Sequence, residues 1–137
     1  MKQKLINHFS GWWRDLPVNP QDYYFVMTDD MDSFYSCKML NKMYGVEIGG
    51  FYKFGEGLYL TDKARKSDKE AIYIDCSVAY DGVMCFDNHL NIRNNHMMIN
   101  PNLIIDRFDE KSYCKKYCGS TLLFLIALYE KDCSELE

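Results

Sequence analysis

At 137 residues the chain is expected to form one domain, residues 1–137, and its 47% apolar content is enough for a core. The formal net charge of −4 excludes a general nucleic-acid surface, which needs clustered Lys and Arg, and no apolar run reaches the roughly 20 residues of a membrane span. Cys37, Cys76, Cys85, Cys114, Cys118 and Cys133 contain no C-x-x-C pair and no secretory leader is recognisable, so free thiols in a reducing cytoplasm are expected.

Residues 1–16 read as a short amphipathic helix, with Trp12 and Trp13 packing it on the body and Pro17 and Pro20 marking the next turn. Tyr23–Met27 (YYFVM) is aromatic and β-branched, hence a strand. Ser33–Tyr44 has helical spacing, with Phe34, Cys37, Leu40, Met43 and Tyr44 as its inner stripe and Gly45 as its stop. Val46–Tyr52 is a second strand in which Gly49-Gly50 marks a bulge or a close approach, and Leu58–Leu60 is a weaker one. The polar stretch 61–70 is a solvated loop or helix. Ala71–Ile74 and Val83–Phe86 are buried strands. Residues 91–102 read as a loop, Leu103–Ile105 as a short strand, Asp109–Tyr117 as a helix broken at Gly119, and Thr121–Lys131 as a last helix capped by Ser120. The strand runs are continuously apolar and alternate with helices or crossovers. That pattern predicts an α/β fold: a mostly parallel sheet with helices on both faces.

Three of these strands run straight into acids. Tyr23–Met27 is followed by Asp29, Asp30 and Asp32, Ala71–Ile74 by Asp75, and Val83–Phe86 by Asp87, Asn88 and His89. In a parallel sheet, ligands bind beyond the carboxyl ends of the strands, so parallel neighbours would gather five carboxylates and one imidazole in a single crevice. Desolvated like charges need a proton or a cation among them. No Lys or Arg lies beside these motifs, which leaves a divalent metal as the simplest counterweight. Oxygen-rich donors with one nitrogen suit Mn²⁺ or Mg²⁺ better than Zn²⁺. Taken singly, each acid is also an ordinary turn or cap residue, with Asp32 or Ser33 placed to cap the next helix. His8 and His96 read as surface residues.

The segments TDDMDSFYSC, IYIDCSV and CFDNHL resemble, in order, the first three motifs of the DHH phosphoesterase superfamily, which includes RecJ-type exonucleases, oligoribonucleases, cyclic-dinucleotide phosphodiesterases and manganese pyrophosphatases. The resemblance covers residues 23–89, and INPNLI and CGSTLLFLIALY are similar to the segments C-terminal to the third motif in some members. It implies that Asp30 and Asp32 each bind one of two metal ions, that Asp75 bridges both, that Asp87 and Asn88 complete the ligand set, and that His89 approaches the scissile phosphate. The implied cofactor is Mn²⁺ or Mg²⁺. The implied partner is a small phosphorylated substrate or a short oligonucleotide.

The chain departs from the family pattern in informative places. Thr28 stands at the first-motif His, Ser33 at the motif Gly, and Asn88 at the first His of the pair. No fourth-motif Asp and no second substrate-binding domain come after them. The expectation is therefore a degenerate or incomplete site with little or no catalysis, either in a natural short relative or in the N-terminal part of a longer protein. Two rivals remain open. One is a non-catalytic α/β binding or interaction protein. The other is a receiver-like phosphoacceptor domain, which places acids after its first and third strands but also needs a Ser or Thr and then a Lys at later strand ends. A haloacid-dehalogenase-type phosphatase is the weakest match, since only Asp30-Met31-Asp32 fits its motif.

Overall fold

The computed structural model describes residues 7, 9–78, 80–90, 95–104 and 116–129. In chain order these form β1 (Tyr23–Met27), α1 (Met31–Tyr44), β2 (Ile48–Lys53), β3 (Gly57–Leu60), α2 (Asp62–Arg65), β4 (Glu70–Ile74), β5 (Cys85–Phe86), β6 (Met98–Ile99) and α3 (Thr121–Leu128), with 3-10 turns at Gly11–Arg14, Pro20–Asp22 and Pro101–Ile104. One six-stranded sheet runs in the order β3-β2-β1-β4-β5-β6. Every neighbouring pair is parallel except β2 with β3, a hairpin. Without that hairpin strand the parallel strands stand in the order 2-1-3-4-5, the doubly wound arrangement whose chain direction reverses between its first and third members. Here those members are β1 and β4.

Local chemistry accounts for the elements that carry the site. Met31–Tyr44 contains no β-branched residue, Gly or Pro, and it is closed at both ends. Asp30 accepts from the Ser33 N–H at 2.7 Å, and Gly45 takes the left-handed conformation (φ 75°) that ends the helix. The cap is thus Asp30, not Asp32 or Ser33. Gly49 is both a bulge and a close approach. The β1–β2 register shifts beside it, and a Cβ there would lie 2.6 Å from the Tyr24 ring and 2.8 Å from Ala64 of α2.

The core lies on one face. Phe25, Ile72, Ile74, Phe86 and Ile99 of the sheet meet Cys37 and Leu40 of α1, Phe124, Leu125 and Leu128 of α3, and Trp13 and Leu16 of the leading segment. Full burial of Phe25, Phe86 and Phe124 contributes on the order of 2 kcal/mol each. The tryptophans pack as the sequence implies: Trp12 lies 4.8 Å from the Phe86 ring and donates to the Met97 carbonyl, while Trp13 stacks edge-on with Tyr129. On the other face, among the described residues, the helical cover is the single turn of α2.

Several expectations change. Within residues 1–16 the described helical piece is Gly11–Arg14; residues 1–6 and 8 lie outside the described residues, and so does the proposed helix over 109–115. Lys116 and Tyr117 are not helical. Leu103 and Ile104 of the strand expected at Leu103–Ile105 belong to a 3-10 turn over Pro101–Ile104, Ile105 lies outside the described residues, and a strand forms at Met98–Ile99, inside a stretch that reads as a loop. The surrounding Asn residues suggested turns, and two buried residues are too few to show a period. Phe34 is not inner: it is 39% exposed, and Ser33, Ser36 and Met39 are buried instead. α3 ends at Leu128 among the described residues, with Tyr129 as its C-cap. No helix of the described residues is long and apolar enough to cross a membrane.

Candidate metal centre

The parallel strands deliver their acids to one rim. β4 ends at Ile74, and Asp75 comes next with φ +55°, the one non-glycine residue in the left-handed region among those described. That conformation costs a non-glycine residue about 1 kcal/mol and persists only where its surroundings enforce it. They do here: the Asp75 N–H donates to the Phe86 carbonyl at 2.8 Å, and Asp75 Oδ1 accepts from the Thr121 hydroxyl at 2.6 Å. One strand over, the Asp87 N–H donates to the Ile99 carbonyl, fixing the fully buried Asp87 carboxylate beside it. His89 Nδ1 lies 2.6 Å from Asp87 Oδ1 and 3.9 Å from Asp75 Oδ1, with its side chain 48% exposed. One ligand atom from each of Asp75, Asp87 and His89 falls within 4.8 Å of the others. Asn100 buttresses the group, donating to the His89 carbonyl at 2.7 Å and to Asp87 Oδ2 at 3.3 Å.

The β1 end is divided in its roles. Ser33 stitches it to β4, accepting from the Thr28 N–H and donating to the Ile74 carbonyl, both at 2.8 Å. Asp30 is exposed, caps α1, and lines the same cavity as Asp75 and His89. Asp32 turns away to the N-terminus of α3. Its two oxygens accept from the Ser120 hydroxyl (2.9 Å), the Thr121 N–H (2.7 Å) and the Leu122 N–H (2.8 Å), with the Asn88 amide at 3.5 Å. Asn88 is buried, and its carbonyl accepts from Asn102, which also accepts from the Tyr117 and Cys118 N–H groups.

Electrostatics separate these acids. Burial pushes the Asp75 carboxyl up to about 7; the Thr121 hydroxyl opposes that rise, repulsion from Asp30 and Asp32 adds to it, and His89 opposes it. His89 is raised, first by its hydrogen bond to Asp87, with burial and Lys116 acting the other way. Burial raises the neighbouring Cys76 thiol to about 12, so it is a poor thiolate ligand or nucleophile. With no metal, a protonated His89 or a protonated Asp75 balances the buried carboxylates. A divalent cation does the same with more charge, and two carboxylates plus one imidazole suit a hard or borderline ion. The donor set therefore fits Mn²⁺ or Mg²⁺ at Asp75, Asp87 and His89, with Asp30 close by. Asp32 is engaged with the start of α3 and with Asn88, whose backbone carbonyl accepts from Asn102.

Of the residues singled out from sequence, Asp75, Asp87 and His89 come together and Asp30 faces their cavity. Thr121, Ser120, Asn100 and Asn102 emerge from the structure alone. Ser120 read only as a cap, and nothing in the sequence links Thr121 to an aspartate 46 positions earlier. A second cavity of about 520 Å³, between α1, the start of β2 and the α2 segment, is lined by Phe34, Lys38, Ile48 and Ala64. Its one acid, Glu47, is already paired with Lys63 at 2.5 Å. Comparison with protein-family models, curated proteins and solved structures gives no match.

Proposed function

We propose that the chain is a DHH-like phosphoesterase domain with a reduced metal centre, which binds Mn²⁺ or Mg²⁺ together with a small phosphorylated ligand or the end of a short oligonucleotide and turns it over little or not at all. The observation that carries this reading is the convergence of Asp75, Asp87 and His89 beyond the strand ends, beside the point where the sheet reverses direction. A bound cation supplies charge neutralisation and polarises a phosphoryl oxygen. Asp87 holds His89 at the mouth, where the half-exposed ring faces an incoming phosphate and keeps or releases one proton. Thr121 and the strained backbone fix the direction of Asp75.

Reduced catalysis is expected from the donor count. Asp32, a metal ligand by the family resemblance, is already satisfied by α3, and Thr28 and Asn88 replace imidazoles. The same features favour a binding protein over an enzyme as the second reading. The receiver-like reading keeps Asp75 at the end of the third parallel strand. However, the fourth and fifth parallel strands, β5 and β6, are followed by Asp87 and Asn100 rather than by a hydroxyl and a Lys. A cytoplasmic location is proposed from the cysteine content.

The test is calorimetric titration of inorganic phosphate into the protein with and without Mn²⁺, beside a chromogenic phosphodiester assay. Phosphate binding that requires Mn²⁺, with no turnover, supports the proposal. Metal-independent phosphate binding contradicts the site, and Mn²⁺-dependent hydrolysis contradicts the claim of reduced catalysis. Labelling of Asp75 by acetyl phosphate would favour the receiver reading.

A further inference from the structure

The cavity that holds Asp30, Asp75 and His89 is only partly acidic. Its other wall is aromatic and aliphatic: Tyr52, Phe54 and Leu58 from the β2–β3 hairpin, Tyr73 from β4, and Tyr80 and Val83 from the segment before β5. Its volume is about 570 Å³, inside the ~300–1,000 Å³ range of small-molecule sites. Phe54 is 87% exposed and Tyr80 78% exposed, which is far from the burial that folding alone asks of such side chains. Scattered exposed aromatics are ordinary, but these two line the same cavity as carboxylates and an imidazole.

An inorganic phosphate or pyrophosphate would use the acidic groups with their cation and leave the aromatic wall idle. A small acyclic ester would leave most of the ring area uncovered. A planar ring matches the wall in shape and polarity, because an aromatic face stacks on any flat π-system. Resting on the metal-centre reading of the same cavity, we propose that the hairpin wall is the specificity element of this site, and that its ligand is a phosphoester bearing a planar aromatic ring, nucleoside or aryl, with the ring against Phe54 and Tyr80 and the phosphate toward Asp75 and His89. The β2–β3 hairpin thus has a binding role that its position as the antiparallel edge of the sheet would not announce.

The experiment is calorimetry on the full chain with adenosine monophosphate, phenyl phosphate and ribose 5-phosphate, each with Mn²⁺ and with chelator, on the wild type and on F54A/Y80A. Both residues are exposed, so the double variant is expected to fold, and its Mn²⁺ affinity should match the wild type. At least one ring-bearing ester should bind about tenfold or more tightly than ribose 5-phosphate, and F54A/Y80A should erase that gap. The tighter of the two ring-bearing esters tells a nucleoside from an aryl ligand. Equal binding of all three esters, binding of none, or a gap that survives F54A/Y80A overturns the inference. A ring preference that persists in chelator upholds the wall and defeats the metal-centre reading instead, so the two failures are distinguishable.

Discussion

Asp32 and Asp75 both follow strands of one sheet, and both sit against the start of α3, yet they are opposites in energy. Asp32 receives two backbone N–H groups and a hydroxyl at the start of a helix. Asp75 has one hydroxyl, a left-handed backbone and two repelling carboxylates for neighbours. The first charge is satisfied by hydrogen-bond donors of the protein, whereas the second is balanced by a proton or, under the proposed function, by a cation. Acids clustered in sequence therefore need not be equivalent in function: donors decide which hold the fold together and which hold a ligand.

Removing each acid tests the contrast directly. Asp75→Asn is the cleaner variant because Asn tolerates the left-handed conformation. It should weaken Mn²⁺ binding about a hundredfold or more, while raising the melting temperature of the metal-free protein at pH 8. Asp32→Ala should do the reverse in stability, costing on the order of 2–3 kcal/mol by chemical denaturation, because α3 loses its charged cap. If Asp75→Asn destabilises as much as Asp32→Ala does, the contrast is false.

The pH dependence arises from the same carboxyl. Asp75 holds its proton more tightly folded, up to about 7, than unfolded, so the folded state binds the extra proton between about pH 4 and 7. Stability from this group therefore falls as pH rises through that window, by an amount on the order of 4 kcal/mol. His89, also raised, adds stability that is complete below about 6.5, its ordinary value, and is lost as pH climbs through its folded value. Melting temperatures of the metal-free wild type should accordingly fall from pH 5 to pH 8, added Mn²⁺ should reverse the fall, and Asp75→Asn should flatten it. A wild type that gains stability over that range would break the account. The smallest expected effect is at Thr121: Thr121→Val should weaken Mn²⁺ binding several-fold and Thr121→Ser should restore it, since the hydroxyl orients Asp75. Equal losses in Val and Ser would make the role one of packing alone.

The sequence carried more of the sheet than of the site's division of labour. The apolar runs at Tyr23–Met27 and Ala71–Ile74 marked β1 and β4, because buried parallel strands are continuous in hydrophobicity. The strand Met98–Ile99 escaped, since its pairing with β5 is a tertiary fact. The acids after each strand end were legible as a cluster. That Asp32 would face α3 was not, because its partners lie 88 to 90 residues away. Likewise the Asn88, Asn100 and Asn102 network reads in sequence as turn chemistry, and only the fold turns those amides inward.

The central claim is that Asp75, Asp87 and His89 form the cation site and Asp32 does not. It is tested most directly by Mn²⁺ titration calorimetry on Asp75→Asn and Asp32→Asn side by side with the wild type, at pH 8 and at a temperature where all three are folded. The account predicts that Asp75→Asn loses the binding isotherm and that Asp32→Asn keeps it within a few-fold of the wild type. Equal loss in both, or full binding by Asp75→Asn, would contradict it.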